Sequence, residues 1–182
     1  MKNAYRWVAL LAACLMLLTA IPFAAAEGPR LAITADKTTV NPGDRVKVSF
    51  VSSGITAESG WEMLEFTIGY DPAQLTPQGY TSGSGADSAA MMDVNFNENP
   101  LRGAVISTTT QTGNGEIISV EFLVSDTVAP GTAINLNVQL LEFTRLVVEN
   151  QRVVGFTPLQ AAGGYPIGLT VAAPSVQITF KG

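Results

Sequence analysis

Apolar and polar residues alternate with a period of two through most of the chain, the pattern of half-buried β-strands. Turn-forming combinations of Gly, Pro, Asn and Asp separate the alternating runs. The predicted strands lie at 31–35, 46–50, 61–70, 93–97, 103–109, 118–124, 134–140, 168–172 and 176–180. Residues 81–90, which are small and polar, are predicted to form a loop.

Two turns stand out between these runs. Residues 41–44 read Asn-Pro-Gly-Asp, with Pro and Gly at the positions that a β-turn favours. Asn114-Gly115 tolerates the positive φ angles of a type I′ hairpin. A further hairpin is predicted within "LVVENQRVVGF", at residues 146–156. No helical periodicity of useful length accompanies the strands, so the sequence predicts an all-β fold, an antiparallel β-sandwich of jelly-roll topology with about nine strands.

The strand at 61–70 has a polar outer face and an abrupt end. Alternation directs Met63, Glu65 and Thr67 outward if Phe66 and Tyr70 point into the core. Tyr70-Asp71-Pro72 then ends the strand, because Pro cannot donate to a ladder and holds the preceding residue in an extended conformation. Asp71 can also accept a hydrogen bond from the following backbone, which predicts a turn that returns Leu75 to the core.

The N-terminal residues follow the layout of a secretory signal peptide. Lys2 and Arg6 precede an apolar stretch, and Ala24-Ala25-Ala26 provides small residues for cleavage before Glu27. We therefore expect residues 1–26 to be a signal peptide and 27–182 to form one secreted domain, with its core at about 31–172. Lipidation at Cys14 is the alternative, since residues 11–14 read Leu-Ala-Ala-Cys. No transmembrane segment is expected in the mature chain.

Composition removes several classes of function. The chain has no histidine, the commonest general base and zinc ligand, and Cys14 is its only cysteine. Catalysis, a disulfide framework and a metal site on this chain are therefore not expected. After residue 26, eight basic and fifteen acidic residues give a formal charge of −7. That charge argues against nucleic acid as a partner.

Four segments, in order and spacing, resemble a cohesin module. A Gly-Asp turn precedes the second strand, an F-x-x-x-Y-D-P-x-x-L segment spans the third strand and its turn, and a Gly-initiated apolar strand follows later. The segments are "NPGDRVKVSF", "WEMLEFTIGYDPAQL", "GEIISVEFLVSD" and "PGTAINL". The resemblance covers about residues 31–172.

The resemblance implies a noncatalytic jelly roll that binds a dockerin, a small module carrying its own calcium, and so assembles polysaccharide-degrading enzymes outside the cell. It implies no cofactor on this chain. The dockerin would rest on the outer face of the strands that are third, fifth, sixth and eighth in cohesins. The side chains expected at that face are Met63, Glu65, Thr67, Asn95, Asn97, Ser107 and Thr109, with the register of the last two ambiguous.

Other functions remain open at the level of sequence. Direct binding of polysaccharide is one, because Trp61 and the tyrosines could stack on sugars. A structural domain that pairs through its strand edges is another. Glu62 and Glu65 do not make a glycosidase pair, because residues three apart on a strand face opposite sides.

Overall fold

The computed structural model describes residues 28–173, which form strands and turns. The eleven strands in chain order are β1 (Arg30–Ala35), β2 (Thr39–Val40), β3 (Arg45–Ser53), β4 (Trp61–Gly69), β5 (Leu75–Ser82), β6 (Ala90–Asn95), β7 (Leu101–Gln111), β8 (Gly115–Val124), β9 (Ala133–Glu149), β10 (Arg152–Pro158) and β11 (Gly163–Val171).

Two sheets form a sandwich. The four-stranded sheet has the order β1-β3-β8-β5, and the seven-stranded sheet has the order β2-β11-β9-β4-β7-β6. The seventh strand of the larger sheet, β10, pairs only with the C-terminal half of β9. All pairs are antiparallel except β2 with β11. The predicted all-β sandwich is therefore confirmed.

Aromatic side chains from both sheets fill the space between them. The rings of Phe50 on β3 and Phe66 on β4 have centroids 4.0 Å apart, which joins the centres of the two sheets. Trp61 packs on Phe143 at one end of the seven-stranded sheet, with centroids 6.0 Å apart. Because these rings are fully buried, the inward half of each alternating strand is committed to the core, and the outward half alone is available to a partner.

The turn after β4 has the predicted form. The ring of Tyr70 points inward and meets Phe122 edge-on at 5.4 Å. The Asp71 carboxylate accepts a hydrogen bond of 2.9 Å from the backbone N–H of Ala73, and the Asp71 carbonyl accepts one of 2.9 Å from Leu75. Leu75 is buried as expected. Asn99 adds a contact that the sequence did not indicate, since its side chain donates to the Tyr70 carbonyl at 2.8 Å.

Some expectations differ from the structure or lie outside it. Residues 75–82 form β5, which was missed because Thr76-Pro77-Gln78-Gly79 reads as a turn. The hairpin at 146–156 is real and joins β9 to β10. The expected signal peptide, Cys14 and the strand predicted at 176–180 lie outside the described residues. No helix in the described part of the chain is long and apolar enough to cross a membrane.

Gly103 sets which side chains of β7 reach the outer face. A Cβ atom at this position would lie 2.3 Å from the ring of Phe66, so Gly103 must face inward under that ring. Val105 is inward two residues later and is fully buried. The alternate positions Arg102, Ala104 and Ile106 are consequently outward.

Candidate partner-binding face

The outer face of the seven-stranded sheet carries the residues that the sequence indicated on β4. Met63, Glu65 and Thr67 lie outward and half-buried, between the fully buried Leu64, Phe66 and Ile68. Strands β7 and β6 lie on one side of β4, and β9 lies on the other. Counted without the two-residue β2, these strands are the third, fifth, sixth and eighth of the chain, the strands to which the resemblance assigns the face.

Outward side chains form rows across this face, because residues paired in register lie side by side. The first row, here named the apolar row, is Met91, Ile106, Met63, Thr144 and Pro158, on β6, β7, β4, β9 and β10. Thr144 is its one buried member, at 5% exposed. Met91 is 66% exposed and Ile106 is 44% exposed. Large apolar side chains this accessible, in one row on a sheet, are typical of an interaction surface.

The second row, here named the acidic row, lies two residues further along each strand. It consists of Asp93, Ala104, Glu65 and Glu142. The Glu65 carboxylate is not free, because Arg102 donates hydrogen bonds to it from Nε, at 2.6 Å, and from a terminal guanidinium nitrogen. The Glu65 side chain is only 14% exposed as a result. Asp93 and Glu142 are thus the members of this row whose negative charge faces a partner most directly.

A third row is polar and contains Asn95, Arg102, Thr67 and Gln139. Asn95 is half-buried, and its side-chain oxygen accepts a hydrogen bond of 3.0 Å from the backbone of Asn97. Asn97 lies past the end of β6 and is exposed at the edge of the face. Asn95 therefore reaches the face while also fixing the turn that follows it.

The expected outward position of Ser107 is wrong. Ser107 is 2% exposed, and its hydroxyl accepts a hydrogen bond of 2.9 Å from Gln111. Gln111 also holds Asp87 through two bonds of 2.8 Å, which ties the loop before β6 to β7. Thr109 is exposed, but its hydroxyl belongs to the same network, 3.3 Å from that of Ser107. Ser107 continues the inward alternation of Leu101, Gly103 and Val105, so its polar side chain faces away from the partner. The pairing is irregular beyond that point, where the six residues Ile106 to Gln111 lie opposite the three residues Trp61 to Met63.

Glu62 and Trp61 have structural roles. Glu62 is 5% exposed, with its carboxylate accepting hydrogen bonds from the Thr110 hydroxyl and, at 2.8 Å, from the Leu146 backbone. It points away from Glu65, so the two carboxylates cannot flank one bond. Trp61 is fully buried and cannot stack on a sugar.

The two tyrosines considered for sugar binding, Tyr80 and Tyr165, make contacts within the chain. Tyr80 is 38% exposed, but its ring stacks on Phe96 and its hydroxyl donates to the Met92 carbonyl at 3.0 Å. Tyr165 contacts Gln160 through its hydroxyl at 2.6 Å. Within residues 28–173 there is no group of three or more His, Cys, Asp or Glu side chains that could hold a metal ion. This face can therefore contribute recognition by shape, apolar contact and charge.

Sequence reasoning missed several residues of the face. Leu101, Gly103 and Val105 point inward, so alternation places Arg102 and Ile106 outward. The glycine hides this alternation, because it has no side chain. Met91 and Asp93 were within reach of the same rule once β6 is extended back to Ala90. Glu142 follows a bulge at Leu141, where the pairing of β9 with β4 slips by one residue. A bulge of this kind has no reliable sequence signal.

Comparisons with known proteins agree with this geometry. Residues 31–157 match the sequence profile of the cohesin domain. No curated protein matches the chain. Among solved structures, the fold is similar to that of the seventh ScaB type I cohesin from Pseudobacteroides cellulosolvens, with 19% identity and a TM-score of 0.61 over 85% of this chain and 99% of that one.

Two further structures were solved as complexes. One is the Coh-OlpA–Doc918 cohesin–dockerin complex from Clostridium thermocellum, with 15% identity and a TM-score of 0.55 over 80% of this chain and 99% of the matched chain. The other is the third cohesin of ScaC with the ScaB dockerin from Acetivibrio cellulolyticus, with 18% identity and a TM-score of 0.56 over 79% of this chain and 100% of the other. With more than half of its length matched by the family profile, this chain belongs to the cohesin domain family.

Proposed function

We propose that this protein is a noncatalytic module that binds a dockerin on the outer face of the seven-stranded sheet. The observation that carries the proposal is the apolar row of Met91, Ile106 and Met63, exposed beside an acidic row. Such a row on a rigid sheet provides contact area at little entropic cost, because the strands that hold it are already ordered. The interaction is association alone.

The proposal assigns contact roles to the expected residues that reach this face. Met63, Thr67 and Asn95 offer side chains to the partner, while Glu65 and Arg102 offer a charge-balanced ion pair. Asn97 and Thr109 lie at the margin. Met91, Asp93, Ile106 and Glu142 join them on the strength of the cross-strand register. Calcium is assigned to the dockerin.

Support for a dockerin as the partner comes from family membership and from cohesins of similar fold whose structures were solved in complex with dockerins. We further propose that the chain is exported, by cleavage of residues 1–26 or by lipidation at Cys14, and that its partners are polysaccharide-degrading enzymes. N-terminal sequencing of the protein purified from its own cells tests the export route. A start at Glu27 supports cleavage, and a blocked, lipid-bearing Cys14 supports the alternative.

A capture experiment tests the function. Tagged residues 27–182 are incubated with the secreted proteins of the source organism, with calcium and with EDTA, and bound species are identified by mass spectrometry. The proposal predicts a dockerin-bearing protein that EDTA releases. Ile106→Asp should abolish that capture, because it buries a charge against apolar surface. Thr76→Asp, on an exposed position of the four-stranded sheet, should not. Retention on insoluble polysaccharide without any dockerin-bearing protein would contradict the proposal.

A further inference from the structure

We propose, on the basis of the function proposed above, that the hairpin of β9 and β10 is part of the binding face. The bound segment of the partner is then an amphipathic helix that lies across the strands from β6 to β10. Its apolar stripe covers the apolar row, and basic side chains on one flank meet the acidic row.

The register places the hairpin on the same face as the rest of the row. Met63 pairs with Thr144, and Thr144 pairs with Pro158 on β10, so the register carries the row from β4 to β10. Thr144 itself is only 5% exposed and lines a pocket between the two. The next pair on this side of the hairpin is Phe156 with Leu146. Phe156 is two residues from Pro158 along β10 and therefore points to the same side. The face thus spans five strands where β10 is present.

The hairpin exposes a cluster of large apolar side chains. Val148, Val153 and Phe156 are 58%, 54% and 57% exposed, and Val148 and Val153 are direct cross-strand partners. These side chains could have been polar at no cost to the core, because they do not reach it. An apolar cluster that serves no packing within the chain points to packing against another molecule.

The order of apolar and charged side chains on the face sets the direction of the helix axis. Along β4 the outward side chains change from apolar Met63 to acidic Glu65 to polar Thr67. Across the strands, by contrast, the apolar row keeps its character from Met91 to Pro158, with Thr144 as its one polar member. A helix with a single apolar stripe matches the second direction. Four inter-strand spacings make the row about 19 Å long, which is the length of about 13 helical residues.

Charge identifies one flank of that helix. The acidic row lies two strand residues, about 6.6 Å, to one side of the apolar row. Asp93 is exposed and Glu142 is half-buried near opposite ends of that row, so Lys or Arg residues about two to three turns apart on the helix would meet both. A second copy that docked through the same face would bring its own acidic row to the contact, which does not complement this one.

A pocket of about 470 Å³ lies where β9 meets the end of β10, and receives the end of the helix. Leu141, Phe156, Pro158 and Leu159 line it, together with Glu142 at its rim. Leu141 is 37% exposed because the bulge lifts it out of the alternation. The lining suits one bulky apolar side chain, and the carboxylate at the rim suits a basic residue next to it.

The test uses the isolated dockerin module of the protein captured above, titrated calorimetrically against residues 27–182. Phe156→Asp is the test variant, and Thr157→Asp is the matched control, since Thr157 is its exposed neighbour on the opposite side of the strand. We expect Phe156→Asp to raise the Kd at least tenfold and Thr157→Asp to leave it within about twofold. Because β10 is an edge strand, thermal unfolding of each variant is measured first, and Phe156→Ala replaces the Asp variant if that one unfolds.

Each outcome separates this inference from the function on which it rests. No binding by the wild-type chain would overturn the proposed function itself. Binding that Ile106→Asp abolishes while Phe156→Asp and Phe156→Ala leave it unchanged would keep the function and overturn the role of the hairpin. Equal weakening by Phe156→Asp and Thr157→Asp would indicate a general effect on the strand and would also overturn it. Self-association of the wild-type chain that Phe156→Asp alone removes would assign the hairpin to a second copy.

Reversal of charge tests the orientation of the helix. Glu142→Lys should slow association and reduce its dependence on salt, since a charge at the edge of an interface acts mainly on encounter. Glu121→Lys, a reversal on the four-stranded sheet, is the control and should not change either quantity. An unchanged salt dependence in Glu142→Lys would overturn the assignment of basic residues to that flank.

Discussion

The two outer faces of the sandwich are built alike and used differently. Both consist of outward side chains on antiparallel strands, and both lie over the same aromatic core. On the four-stranded sheet the outward groups satisfy one another. On the seven-stranded sheet they form rows that leave apolar area in water. The difference indicates which side of the molecule is complete by itself.

The four-stranded face is a network of polar side chains. Glu116 accepts hydrogen bonds from Lys47 at 3.0 Å, from Ser49 at 2.7 Å and from Ser119 at 3.0 Å. The Ser119 hydroxyl also lies 2.9 Å from that of Thr81, which links three strands of the sheet. Burial opposes ionisation of Glu116, but these hydrogen bonds outweigh it and lower the pKa of its carboxyl. A partner would have to break this network before it could bind there.

Among residues 28–173, the seven-stranded face has one such ion pair, between Arg102 and Glu65. On the same sheet, Met91, Ile106 and Phe156 keep 66%, 44% and 57% of their surface exposed to water. Burial of such groups stabilises a complex without the desolvation of a satisfied network. The comparison thus favours this side as the docking surface, independently of any relative.

The largest expected effect comes from a substitution in the core directly beneath the binding face. Gly103→Ala places a methyl group where the Phe66 ring lies, at a distance that no real contact allows. We expect a loss of about 2–4 kcal/mol in the free energy of unfolding, from strain in the core. Gly168→Ala on β11 meets nothing within 4 Å and is the control. Urea denaturation measures both, and equal stability of the two variants would show that the register is not fixed by Gly103.

A pair of substitutions separates the two faces. Met91→Ala should weaken dockerin binding about tenfold and change the free energy of unfolding by less than about 0.5 kcal/mol, because Met91 contacts mainly solvent. Lys47→Ala should lower stability by up to about 1 kcal/mol, because it removes an ion pair to Glu116, and should leave the Kd unchanged. Calorimetric titration and urea denaturation of both variants test this. A Kd that rises only in Lys47→Ala would reverse the assignment of the faces.

The smallest effect concerns pH. The pKa of Glu116 is lowered in the folded chain, so its contribution to stability is complete above the unfolded value of about 4.3 and is lost as pH falls through the folded value. Glu116→Gln should therefore cost about 1 kcal/mol at neutral pH and progressively less below about pH 4. Unfolding free energies from pH 7 to pH 3 measure the difference. A cost that stays constant with pH would indicate that the carboxylate charge is not involved.

The sequence predicted what depends on local alternation and turn chemistry. The sandwich, the outward face of β4 and the Tyr70-Asp71-Pro72 turn follow from a period of two and from the properties of Pro and Asp. The outward residues of β7 were not identified, because Gly103 has no side chain to mark it as an inward position. Ser107 is polar and yet points inward, where its hydroxyl is bound by Gln111. The inward position of Gly103 depends on the Phe66 ring that lies over it, and the irregular pairing at Ile106–Gln111 has no local signal in the sequence.

The hairpin shows a different limit. Its strands were predicted from their β-branched residues, but its side chains belong to the binding face only because Thr144 pairs with both Met63 and Pro158. A pairing between strands distant in sequence has no local signal. The same holds for Glu142, which one bulged residue brings opposite Glu65.

The most direct test of the central claim is hydroxyl-radical footprinting of residues 27–182, free and saturated with the captured dockerin. Met91 and Phe156 are exposed and readily oxidised, and both lie on the proposed face. Leu123, half-buried on β8 of the four-stranded sheet, is the internal reference. The account predicts that the dockerin protects Met91 and Phe156 and leaves oxidation of Leu123 unchanged. Protection of Leu123 with continued oxidation of Met91 would place the partner on the other sheet and contradict it.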